Sequence, residues 1–83
     1  MPGRGGTAVA ILVYFRKSGE TNQTVDYQFG FPELDRQLSI SKSTREHSPA
    51  DGLRDKSYTA VAVKILRMQQ AEGAWPQQGA YAA

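Results

Sequence analysis

Apolar side chains in residues 8–16 fall on both parities, with Ile11, Val13 and Phe15 on one side and Ala10, Leu12 and Tyr14 on the other. That pattern predicts a strand that is apolar on both faces. Ser18-Gly19-Glu20-Thr21-Asn22 follows as a turn cluster of hairpin length. In residues 24–31 the alternation is clean. Val25, Tyr27, Phe29 and Phe31 point one way, and Asp26, Gln28 and Gly30 the other, which predicts one buried and one wet face. Pro32 ends the ladder by removing a donor, and Glu33-Leu34-Asp35 connects to a weaker alternation over 37–42 with Leu38 and Ile40 inward. From Ser43 to Arg54 no apolar period exists, so the segment reads as the most mobile internal loop, with Asp51-Gly52 a turn inside it.

The period then becomes helical. Tyr58, Val61, Ala62, Ile65, Met68 and Gln69 recur at helical spacing, five of the six apolar or aromatic. Asp55 or Ser57 can cap the first turn and Gly73 can stop the last, which predicts a helix over 56–72. The expected fold is α+β: a three-stranded antiparallel meander (β-β-β-α) with one C-terminal helix packed on one face of the sheet. Residues 1–7 read as a flexible lead-in, 8–73 as the single domain, and 74–83 as an irregular tail because of Pro76 and Gly79.

In a meander the first strand is an edge, yet Leu12 and Tyr14 make its second face apolar. Something must cover that face or that edge. Trp75 and Tyr81 of the tail are one candidate cover and a second copy of the chain is the other, so Leu12, Tyr14, Trp75 and Tyr81 are the candidate partner-binding residues.

The element order, the strand ending Tyr27-Gln28-Phe29-Gly30, the turn Pro49-Ala50-Asp51-Gly52 and the closing Trp75-Pro76-Gln77-Gln78-Gly79 together resemble small uncharacterised proteins of actinomycete bacteria. The resemblance implies a bacterial origin and carries over no activity and no functional residue.

Composition narrows the chemistry. Among 83 residues there is no cysteine, which removes disulfides, thiolate metal sites and cysteine nucleophiles. Ten Lys and Arg against eight Asp and Glu leave a net charge of +2, too small an excess to mark a polyanion footprint. The longest apolar run, Ala8 to Phe15, is too short to span a membrane and lacks a cleavage site, so neither an anchor nor a signal peptide is expected. A cytoplasmic protein without membrane contact is the expectation.

His47, Ser48 and Asp51 share one short loop, where a catalytic triad cannot converge. One histidine with scattered carboxylates has no metal-ligand spacing. Gly3-Arg4-Gly5-Gly6 precedes a strand, whereas a phosphate cradle lies between a strand and a helix. No catalytic residue, metal or cofactor is therefore expected. The leading functional expectation is a non-catalytic, self-associating interaction module, a homodimer or the partner of another protein. The alternative is a small nucleic-acid-binding protein using the polar sheet face, with Arg16, Lys17, Gln28, Lys42 and Arg45 as its contacts.

Overall fold

The computed structural model describes residues 11–82, so the lead-in expected over 1–7 lies outside the described residues. Five strands and one helix follow in order: β1 (Leu12–Glu20), β2 (Thr24–Gly30), β3 (Arg36–Ser41), β4 (His47–Pro49), α1 (Lys56–Glu72) and β5 (Gln78–Ala82). They form a single antiparallel sheet of order β4-β3-β2-β1-β5 with the helix on one face.

The α+β class, the antiparallel sheet and the helix match the sequence reading, but among the described residues the sheet has five strands and not three. Both additions come from segments whose composition hides them. The loop expected over 43–54 contains β4, which adds to β3 with Leu38 opposite Pro49 and Ile40 opposite His47. Three residues that include a proline carry no alternation to read. The chain reaches β4 through a tight turn in which Arg45 adopts φ 63°, and Ser41 and Glu46 close it by a backbone bond of 2.8 Å. The tail expected to be irregular supplies β5, paired antiparallel to β1 from Leu12 opposite Ala82 to Arg16 opposite Gln78. Glycine and small alanines give β5 little strand propensity of its own. Its stability comes from the neighbour it joins.

Val13, Phe15, Val25, Tyr27, Phe29, Leu38 and Ile40 from the sheet meet Tyr58, Val61, Ala62 and Ile65 from the helix in one buried cluster. The period-2 set and the period-3.6 set thus face each other as their spacing demands. Phe31 is the exception. Its parity matches Phe29, but the strand ends at Gly30, whose φ is 153°, and a Cβ there would collide with the Glu33 carbonyl. The backbone reverses at that glycine and turns the Phe31 ring out of the core, leaving it 56% exposed.

The helix begins where Asp55 accepts from the Tyr58 N–H at 2.9 Å. It ends at Gly73, whose left-handed φ of 76° suits glycine and whose N–H closes on the Gln69 carbonyl at 2.7 Å. Two ties bring the tail back. The buried Tyr27 hydroxyl donates to the Pro76 carbonyl at 2.5 Å, and burial raises the tyrosine's pKa. Gly79 lies against the Phe15 ring, where an added Cβ would stand 2.6 Å from Cζ.

That close approach generates a test. Gly79→Val should push β5 off Phe15 and lower stability by about 1–3 kcal/mol, with faster amide exchange in β1. Ala80→Val, on the opposite face beside Tyr14, should leave both unchanged. Truncating Phe29 or Ile65 to Ala should cost about 2–5 kcal/mol. Thermal unfolding and hydrogen exchange read all four variants.

Candidate functional site

Alternation along the strands sorts every sheet residue to one of two faces. Val13, Phe15, Tyr27 and their neighbours lie under the helix, while Leu12, Tyr14, Arg16, Asp26, Gln28, Ser39 and Ala80 lie on the other side. No described element packs against this second face, and it divides into two halves.

The apolar half centres on Tyr14, 42% exposed, whose ring meets that of Phe31 at 5.6 Å between centroids. Leu12 flanks it along β1, and Leu34 lines a shallow depression with Tyr14, Arg16, Gln78 and Ala80. The polar half is tied within itself. Ser39 donates to Asp26 at 2.7 Å, and Arg16 donates to Gln28 at 3.4 Å. The face therefore shows apolar surface, one cation and one anion side by side.

The four candidate partner residues are not on one surface. Leu12 and Tyr14 occupy the open face. Trp75 is half-buried against the core, with the Arg45 guanidinium 5.9 Å from its ring centroid. Tyr81 sits opposite Val13 on the helix side. The tail thus closes the edge of β1 and leaves its second face open, so that edge is taken by the intramolecular β1–β5 ladder and is not free for a second copy.

The five nucleic-acid candidates separate as well. Arg16 and Gln28 stay on the open face, bonded to each other. A register shift between Lys17 and Gly19 brings Lys17 and Glu20 to the same side, where Lys17 and Lys42 both donate to Glu20 at 2.6 Å. Arg45 donates to the Leu66 carbonyl at 3.0 Å and to Gln69, stapling the β3–β4 turn to the helix.

His47 and Asp51, in the segment expected to be a mobile loop, are engaged too. His47 Nδ1 hydrogen-bonds the Tyr58 hydroxyl, and burial, then the nearby Arg54 charge, lowers the histidine's pKa. Ser48, the next residue along β4, points to the other face, opposite Ser39. Asp51 accepts from Arg36 at 3.0 Å. The same guanidinium bonds Asp55 at 3.0 Å and the Leu53 carbonyl at 2.9 Å, so Arg36 ties the approach to the helix cap. Sequence reasoning missed this role of Arg36. Its signal was a lone arginine opening a strand ahead of two spaced aspartates. Among the described residues no group of three His, Asp or Glu side chains is gathered for a metal ion, and no helix is long and apolar enough to cross a membrane. No family model matches this chain, and neither a curated protein nor a solved structure matches it.

These pairings set the acid response. Hydrogen bonds from Lys17 and Lys42 lower Glu20 from its ordinary 4.5 to about 2. The Arg36 hydrogen bond lowers Asp51, and the Tyr58 N–H followed by Arg36 lowers Asp55. Between those limits the unfolded chain binds protons that the folded chain resists, so the stability that these carboxylates contribute is full above about pH 4.5 and falls towards pH 2. Glu20→Gln should show a shallower loss over that window in unfolding experiments at graded pH. An unchanged slope would remove Glu20 from the account.

Proposed function

We propose that the chain is a non-catalytic interaction module that self-associates through the open face of its sheet. The observation that carries this reading is the Tyr14–Phe31 pair, two large aromatic rings in contact and both exposed on a face that no described element covers. An apolar patch with a polar margin is the usual anatomy of an interaction surface. A second copy is the partner that the electrostatics favour. Arg16 and Asp26 stand on the same face, so two copies related by a two-fold axis can each present a cation to the other's anion.

The nucleic-acid reading draws less support from the geometry. Lys17 and Lys42 are neutralised by Glu20, Arg45 is anchored on the helix, and Asp26 faces outward in the middle of the polar half. A polyanion footprint needs a local excess of uncommitted cations.

Sedimentation equilibrium over a concentration series tests the proposal. The expected result is a dimer that becomes a monomer in the Tyr14→Ser, Phe31→Ser double variant, with an unfolding midpoint for the variant monomer close to that of dissociated wild type. Both side chains are exposed, so their loss leaves the core intact. A wild-type chain still monomeric at about 0.5 mM would overturn the proposal, as would a dimer indifferent to both substitutions.

A further inference from the structure

The helix carries a second surface, independent of the open sheet face and on the other side of the molecule. Lys56, Ala60, Val63, Lys64 and Arg67 follow one another at i, i+4, i+7, i+8 and i+11, which places them along one stripe beside the buried face. The stripe runs roughly 16 Å from Lys56 to Arg67. Lys56, Ala60, Val63 and Arg67 of this stripe form one wall of a groove of about 470 Å³, and Tyr81 of β5 stands on the other wall. A second depression of about 320 Å³ continues it past Lys64 towards Glu72 and shares Val63, Arg67 and Tyr81.

The lining of this groove mixes two chemistries. Ala60, Val63 and Tyr81 supply apolar surface, and Val63 is an exposed large apolar side chain of the helix. Lys56 and Arg67 add cations to the groove, and Lys64 joins Arg67 in its continuation. All eight acidic side chains of the protein fall within the described residues, and none of them forms a salt bridge with these three cations. Lys17, Arg36 and Lys42, by contrast, are each paired with a carboxylate, and Arg16, Arg45 and Arg54 donate to side-chain amides or backbone carbonyls. Asp55 at one end of the groove is committed to the helix cap and to Arg36, which leaves Glu72 at the far end as the remaining acid.

We propose that this groove docks an acidic, apolar peptide segment of a partner protein. Its carboxylates would lie on Lys56, Lys64 and Arg67 and its apolar side chains on Val63 and Tyr81. The lining separates this occupant from other anions. Single-stranded nucleic acid needs a row of aromatic platforms for its bases, and the lining offers one tyrosine among aliphatic side chains. A lipid surface calls for a broad apolar face between the cations, and here the helix offers only the small side chains of Ala60 and Val63 between them.

Fluorescence anisotropy on the full chain tests this with four probes: a labelled peptide alternating Glu and Leu, its Gln/Leu and Glu/Ser counterparts, and an oligothymidylate. The Glu/Leu peptide should bind saturably and the other three at least about tenfold more weakly. The Lys64→Glu, Arg67→Glu double variant should lose about tenfold or more for the Glu/Leu peptide while keeping its unfolding midpoint. The Tyr14→Ser, Phe31→Ser variant should bind it as wild type does, which separates this groove from the self-association face. No saturable Glu/Leu binding below about 1 mM would overturn the proposal. So would equal binding by the charge-reversed variant, or oligothymidylate binding as tight as the Glu/Leu peptide.

Discussion

Among the described residues one helix must back a five-stranded sheet, and a helix has only one face to give. Seventeen residues at 1.5 Å each reach roughly 25 Å, about the breadth of five strands spaced near 4.8 Å. Tyr58, Val61, Ala62 and Ile65 are enough to seal the inner side. Nothing remains in the described chain to seal the outer one. The open face with Tyr14 and Phe31 is the direct result of that arithmetic, and so is the density of ties around the helix.

Those ties compensate for a small core. Arg36 joins the start of β3 to Asp51, Leu53 and the helix cap, while Arg45 joins the β3–β4 turn to the helix's last turns and to Trp75. The Tyr27 hydroxyl reaches the carbonyl of Pro76 from the middle of the sheet. The Tyr27 bond satisfies polar groups that folding removes from water, which matters more than the modest net gain of any single bond. The consequence for function is a division of labour among the cations. Those that hold the fold are spoken for, and those along the outer helix stripe are not.

How legible this was in the sequence depended on side-chain size. Phe15, Tyr27, Phe29, Leu38, Ile40 and Ile65 are large and periodic, so the central strands, the helix and their shared core could be read directly. His47-Ser48-Pro49 and Gln78-Gly79-Ala80-Tyr81-Ala82 are strands made by tertiary context, and intrinsic propensity gives no hint of them. The double-sided apolarity of β1 did signal that a cover was missing. It could not show that the cover would be a backbone ladder on the edge and not aromatic stacking on the face. The open-face half of the candidate site, Leu12 and Tyr14, was visible for the same reason. The groove between helix and β5 was not, because Tyr81 meets the helix stripe only once β5 is in place.

The β1–β5 ladder has a consequence in time. β1 leads the described chain, and its second neighbour is β5, the last described element. The hairpins β1–β2 and β2–β3 close over a few residues, whereas pairing Val13 with Tyr81 closes a loop that spans nearly the whole domain. During synthesis β1 must therefore wait with one edge unpaired until β5 has emerged. The strand with large apolar side chains on both faces is the first of the described strands to be made and the last to be enclosed, and this exposed interval is when a nascent chain is most open to pairing with a neighbour.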